Sequence, residues 1–226
     1  MSVLIFAEHN GEQLHQNTLH AVYAAQKLGE VHVLVAGNNV QNIAEQASKI
    51  NGVSKVLHAD APHYAECLAE EIAPLLVSLA EHYTHIGASA SAVGKNIMPR
   101  VAALLDCPQI SDLTEILDNQ TFIRPIYAGN VFTTVQSNEE KLVLTFRTSA
   151  FGAAELGEQA AEIVNVAATP AQNLSRFVSR ELTQSDRPEL TQARVVVSGG
   201  RALGSAEQFN AVLTPLADVL GAAIGA

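Results

Sequence analysis

Cysteine is scarce in this sequence. Cys67 and Cys107 stand alone, with neither metal-ligand spacing nor the numbers of a disulfide framework. They read as core thiols of a protein kept in a reducing compartment. Long apolar runs are missing too: none approaches the roughly 18 residues a spanning helix needs, so membrane insertion is not expected. Met1–Ala7 lacks a basic leading region and reads as a first strand rather than a signal peptide, which makes the cytoplasm the expected location. Basic residues are few. Thirteen Lys and Arg face 23 Asp and Glu, and the resulting charge of −10 is spread along the whole chain. That argues against nucleic acid and against anionic membrane surfaces as partners. Charge is low overall, at 16%, beside 48% hydrophobic residues, which excludes disorder. A chain of 226 residues can form one large domain or one and a half ordinary ones, with a real core. The combinations that carry substrate chemistry are also missing: there is no nucleophile elbow, no metal-ligand cluster and no convincing acid/base pair.

What is present is a β-α rhythm. Residues 2–8 read as a strand ending in the polar loop Glu8-His9-Asn10-Gly11. Ligands of open α/β sheets sit at such strand ends, so Glu8 and His9 are either a ligand loop or a solvated turn. Leu19, Val22, Tyr23 and Gln26 follow helical spacing, and Gly29 is a natural stop. Strands follow at 31–36, 53–59 and 84–88, with a helix at 40–50. Leu68, Ile72, Leu75, Leu76 and Leu79 make a helical stripe. Pro74 inside it is expected to kink or restart the helix. A further helix carries Val93, Ile97, Val101 and Leu104, with Ser91 as its N-cap. Its first turns hold Lys95 and Arg100, cations that oppose the helix dipole and are candidates for meeting something acidic.

The rhythm changes at Cys107-Pro108. Residues 109–118, 121–128, 131–137 and 141–148 read as four strands joined by short turns, hence antiparallel, with Gly129-Asn130 resembling a two-residue hairpin turn. Residues 149–173 read as a linker or surface excursion, and 177–182 as an edge strand. The expected architecture is α/β: a Rossmann-like parallel sheet with an antiparallel meander extension over 1–185, then an incomplete second α/β domain over 186–226. The 40 or so residues after Pro188 are too few to bury a core of their own, so the second domain is expected to be truncated.

The second segment opens on Val195-Val196-Val197-Ser198-Gly199-Gly200-Arg201. It reads as a strand buried on both faces, a glycine turn and a helix N-capped by Ser205. A helix N-terminus beside two glycines suits an anionic ligand, and Arg201 stands in the turn. The spacing is not the dinucleotide fingerprint, and a plain structural turn fits it equally well.

Three segments together resemble a known family. They are Gly94-Lys95-Asn96-Ile97-Met98-Pro99-Arg100-Val101-Ala102-Ala103-Leu104-Leu105-Asp106, then Phe122-Ile123-Arg124-Pro125-Ile126-Tyr127-Ala128-Gly129-Asn130, then Val197-Ser198-Gly199-Gly200-Arg201. The chain resembles the alpha subunit of an electron-transfer flavoprotein over its whole length. The resemblance implies an N-terminal α/β domain and a C-terminal FAD domain, paired with a beta subunit around one FAD. It implies an electron carrier rather than an enzyme. Such a carrier takes electrons from dehydrogenases, commonly the acyl-CoA dehydrogenases of fatty acid β-oxidation, and delivers them to a quinone reductase. Ser198, Gly199, Gly200 and Arg201 are then the cofactor-binding residues, with Arg201 beside the flavin, where a cation favours the anionic reduced form. Ala202 departs from the glycine the family often has there. The family continues past Ala226 with further flavin-holding loops, so this chain alone is expected to bind FAD weakly or not at all. The alternative is a nucleotide-binding or structural α/β module with Glu8 and His9 as its ligand loop.

Overall fold

The computed structural model describes residues 2–181, 187–188, 190 and 193–225. The chain divides into two compact units, Met1–Phe177 and Val178–Ala226. The boundary expected at 185/186 falls on residues outside the described set.

In the first unit, β1 (Ser2–Phe6), α1 (Gln16–Ala25), β2 (Glu30–Gly37), α2 (Gln41–Ser48), β3 (Val53–Asp60), α3 (Ala69–Leu79), β4 (His85–Ser89) and α4 (Ala92–Leu105) follow the expected alternation. After them come β5 (Gln109–Leu113), β6 (Glu115–Ile116), β7 (Thr121–Ile126), β8 (Val131–Gln136), β9 (Leu142–Phe146) and β10 (Glu162–Asn165). Seven of these strands form one sheet in the order β10-β3-β2-β1-β4-β9-β5, and every pairing in it is parallel. Period-2 alternation splits the core into two layers. Val3, Ile5 and Ala7 pack with Val22, Val33 and Ile43, while Leu4 and Phe6 pack on the other face with Ile72, Leu76, Ile97 and Val101. Helices on both faces explain why these strands are almost continuously apolar.

The four-strand meander is corrected in part. Only β6, β7 and β8 form an antiparallel sheet. β9 lies in the main sheet, parallel between β4 and β5. Its residues Leu142–Phe146 are buried throughout: Leu142, Leu144 and Phe146 join one core layer and Val143 the other. A strand apolar on both sides belongs inside a covered sheet, not in a half-solvated meander. The expected strand 109–118 is divided at Thr114 into β5 and β6, and within β5 the positive φ of Asp112, 60°, falls at a bulge that shifts its register against β9 between Ile110 and Leu113. The hairpin between β7 and β8 pairs Ile126 with Val131, so its loop has four residues rather than two. Tyr127, Ala128 and Gly129 all have positive φ there, at 50°, 55° and 89°.

Two further expectations change. The supposed linker 149–173 contains β10, an edge strand parallel to β3. Its Ile163 and Val164 pack on opposite core layers, a signal only two residues long between Glu162 and Asn165. No strand forms over residues 177–181, and residue 182 lies outside the described set. Helix α3 runs through Pro74 without a break, losing one hydrogen bond but keeping Ile72, Leu75 and Leu76 of its apolar stripe buried.

In the second unit, β11 (Val196–Ser198), α5 (Ala206–Leu220) and β12 (Ala223–Gly225) form a β-α-β unit whose strands pair in parallel. β11 is not covered on both faces as expected. It belongs to a two-stranded sheet, and Val196 is exposed. Among the described residues no helix is long and apolar enough to cross a membrane.

His85 shows how the first unit handles a buried titratable group. It is buried at the start of β4. Its Nε2–H donates to the Asn119 carbonyl at 2.9 Å, because a carbonyl can only accept. Nδ1 then accepts from the Thr84 hydroxyl at 2.9 Å. Burial pushes the folded-state pKa below 6.5, against the opposing pull of the Asn119 bond. The unfolded chain therefore binds the proton more readily. The neutral imidazole contributes its full stability above the unfolded pKa. That contribution is lost as pH falls from about 6.5 towards the folded value. His9, lowered mainly by burial, adds the same sign. Denaturant titrations from pH 7.5 to 5 should show stability falling below pH 6.5, by at most about 1.4 kcal/mol per pH unit for each histidine. His85→Gln should flatten this slope; an unchanged slope would mean that the site does not hold a neutral ring.

Candidate functional site

Two places deserve the site question, one in each unit. The first is the crevice between β1 and β4, where the sheet order reverses and open α/β folds bind ligands. Glu8 is neither solvated nor open to a ligand there: it is 5% exposed. Its carboxylate accepts hydrogen bonds from Ser89 and, at 2.8 Å, from Ser91. Its backbone N–H donates to Thr18 Oγ1 at 3.0 Å. His9 Nε2 donates to the Ala36 carbonyl at 2.9 Å, while its Nδ1 accepts from the Gly11 N–H at 3.1 Å. Ser91 also caps α4 as expected, accepting from the Gly94 N–H at 3.0 Å. The anion at the head of α4 is thus the chain's own carboxylate. This local closure was not visible in sequence, because Ser89 and Ser91 lie about 80 residues from Glu8.

The second place is the turn after β11. Ser198 ends the strand, Gly199 and Gly200 make the turn, and Arg201 begins a single 3-10 turn to Leu203 before Ser205 caps α5. All four sequence-derived site residues therefore lie on one strand–turn–helix junction. The two glycines do different things. A Cβ on Gly199 would lie 2.3 Å from Leu203 Cδ1, so that glycine lets the turn fold against its own helix. A Cβ on Gly200 would meet nothing within 4 Å, so its face is open. Beside it is a cavity of about 560 Å³, lined among others by Gly200, Arg201, Phe209 and Asn210. Arg201 is exposed. Ser205 Oγ accepts from the Gln208 N–H at 3.2 Å, as expected of the cap. Glu207, in the first turn of α5, is held below the usual carboxylate range by its own backbone N–H and then by the Ser205 hydroxyl. A carboxylate already answers this helix end, so the junction offers a guanidinium and an open glycine face more than a vacant anion hole. Sequence reading missed this role of Glu207; the Ser205-x-Glu207 spacing was its signal.

Residues 3–171 match the model of the electron transfer flavoprotein domain, and residues 189–226 match that of the electron transfer flavoprotein FAD-binding domain. The chain is 51% identical over 227 residues to the electron transfer flavoprotein subunit alpha of Paracoccus denitrificans, covering all of this chain and 73% of that protein. The chain belongs to the electron transfer flavoprotein alpha subunit family. The corresponding subunit of Pseudomonas aeruginosa is 49% identical over the same shares. The mitochondrial alpha subunit of Dictyostelium discoideum is 44% identical over 99% of this chain and 67% of that protein. These relatives support an electron-transfer flavoprotein role, and the FAD-binding match spans the junction around Arg201.

The cations singled out in sequence have separate fates. Arg100 finds its acidic partner within the fold, donating to Glu70 at 2.9 Å. Lys95 lies elsewhere, near Asp112. Arg147 forms two bonds to the Asp112 carboxylate, at 3.2 and 2.5 Å. Arg124 Nε donates to the Ser111 carbonyl at 2.8 Å. The Asp112 carboxyl is held down chiefly by its bonds from Arg147, with the charges of Lys95 and Arg124 adding to the effect.

Proposed function

We propose that this chain is the alpha subunit of a cytoplasmic, heterodimeric electron transfer flavoprotein that holds FAD together with a beta subunit. In this reading it is a carrier, not an enzyme. Electrons arrive from dehydrogenases, with acyl-CoA dehydrogenases the expected donors, and leave to a quinone reductase. The observation that carries the reading is Arg201: an exposed guanidinium on a strand–glycine–helix junction, over an open cavity, within the segment matching the FAD-binding model. These residues fit the flavin end of the cofactor. Gly200 lets a flat ring approach the backbone, and Arg201 supplies a positive charge beside it. FAD supplies the redox chemistry when bound, and the protein's part is position and charge. The closed crevice at Glu8 speaks against the alternative of a nucleotide-binding module in the first unit, since a phosphate there would meet a buried carboxylate.

The apolar hairpin of β7 and β8 is the face we assign to the beta subunit. Tyr127, Val131 and Phe132 are exposed on it, and large apolar side chains clustered in the open mark an interface.

The test is a visible spectrum of the chain co-expressed with its beta subunit, beside the chain alone. Flavin bands are expected in the complex and weak or no bands in the single chain. Arg201→Ala in the complex should lower the flavin potential by roughly 30 to 60 mV, the two-electron equivalent of about 1.4 to 2.8 kcal/mol. A colourless complex would sink the redox reading, and an unchanged potential would remove Arg201 from the flavin's surroundings.

A further inference from the structure

The cavity beside Gly200 is walled by the glycine turn and by the start of α5. Phe209 and Leu213, four residues apart, form the inward row of that helix: they would stand 3.4 and 3.1 Å from a Cβ on Gly199. Ala206 and Asn210, also four residues apart, form the next row, and both line the cavity. Asn210 is exposed, and its side-chain amide takes no hydrogen bond among the described residues.

Much of this wall is already paired. The carbonyls of Gly200, Arg201 and Leu203 accept from the N–H groups of Leu203, Gly204 and Ser205. Ser205 Oγ accepts from the Gln208 N–H at 3.2 Å. Among the side chains that line the cavity, Arg201 and Asn210 keep free polar atoms. The two are not equivalent. A guanidinium only donates, whereas an amide also accepts. The pyrimidine edge of a flavin presents two carbonyl oxygens with one N–H between them. Arg201 can answer the carbonyls and the negative charge of the reduced ring, but not the N–H. A donor enclosed without an acceptor is costly, and the amide oxygen of Asn210 is the free side-chain acceptor on this wall.

We propose that Asn210 is a second flavin contact of this chain, its amide oxygen accepting from the ring N–H while Arg201 supplies the charge. This rests on the reading that the cavity receives the flavin end of FAD. The amide is uncharged, so Asn210 holds the ring in place without favouring either redox state. A carboxylate in its place would still accept from the ring N–H but would oppose the anionic reduced ring.

The experiment uses the full heterodimer co-purified with FAD. Release of FAD is followed by flavin fluorescence, and the potential by reduction in equilibrium with a dye. Asn210→Leu should weaken FAD about 10-fold, the order expected of one hydrogen bond. Asn210→Asp should hold oxidised FAD within about 3-fold of the wild type but weaken reduced flavin about 10-fold, which lowers the two-electron potential by about 30 mV. Retention of oxidised FAD by this variant also shows that the fold is intact. Val219→Asp is the control. It adds the same charge to the same helix at an exposed position off the cavity wall, about 13 Å further along the axis. It should change neither affinity nor potential at physiological salt. Unchanged FAD affinity in Asn210→Leu overturns the contact. Equal potentials in Asn210→Asp and Val219→Asp overturn its place beside the ring. If Arg201→Ala lowers the potential while both Asn210 variants behave as the wild type, the cavity still receives the flavin and only Asn210 is removed from it. If Arg201→Ala is also without effect, the reading of the cavity falls as well.

Discussion

Gly94→Ala is expected to cost the first unit about 3 kcal/mol and to lower its melting temperature by roughly 6 to 12 °C. Alanine is the better helix former by about 1 kcal/mol, so propensity alone predicts the opposite sign. Space decides the outcome. A Cβ at this position would lie 1.9 Å from the Ser89 carbonyl oxygen, far inside contact distance. The obstacle is backbone, not the end of a flexible side chain. It is also held from behind, because Ser89 is in register with Phe146 of β9 and the Ala90 N–H donates to the Phe146 carbonyl at 2.7 Å. Helix α4 must therefore move away from β4. That pulls Ser91 from Glu8 and leaves a buried carboxylate short of a donor. Gly200→Ala is the control: its new methyl meets nothing within 4 Å, and its φ of −112° suits any residue. Thermal melts of the two variants should differ clearly. Equal melts would mean that α4 has room to shift.

Glu71→Ala should release the strap formed by residues 169–175. This segment has no regular structure and is mostly exposed, yet it is fastened at three points. The Glu71 carboxylate, 4% exposed, accepts from the Gln172 N–H at 3.1 and 2.9 Å and from the Asn173 N–H at 3.0 Å. Tyr64 Oη accepts from the Thr169 N–H at 2.9 Å. Ser175 donates to Glu70 at 3.1 Å. Backbone bonds to a carboxylate are worth about 1.5 to 3 kcal/mol each when charged, and a carboxylate in the first turn of α3 also meets the positive end of the helix. Loss of the clamp should speed hydrogen exchange of the 172 and 173 amides roughly 30- to 100-fold while the β1 and β2 amides keep their protection. Glu71→Gln keeps an acceptor oxygen and should fall between. Unchanged exchange at 172 and 173 would show that the other two fastenings hold the strap unaided. Glu71 had a signal in sequence that was passed over: it sits three residues after Leu68 and four before Leu75, on the apolar stripe itself, where a carboxylate needs a buried partner.

What depends on neighbours along the chain was legible in the sequence. Strand and helix periodicity placed β1 to β4 and α1 to α4, and hydroxyl spacing found the caps Ser91 and Ser205. The motifs 94–106, 122–130 and 197–201 carried the family. What depends on the residue opposite was fixed only by folding. Whether Leu142–Phe146 is a hairpin arm or a central parallel strand depends on which strands flank it, and β4 comes from more than 50 residues earlier. Whether Glu8 is a ligand loop or an internal anion depends on two serines at the head of α4. Whether Arg124 and Arg147 are scattered charges or neighbours depends on a fold that brings them to the adjacent residues Ser111 and Asp112. Periodicity is a property of a short segment and survives in one dimension. Burial on both faces, charge compensation and close backbone approach are properties of pairs, and those pairs exist only once the chain has folded.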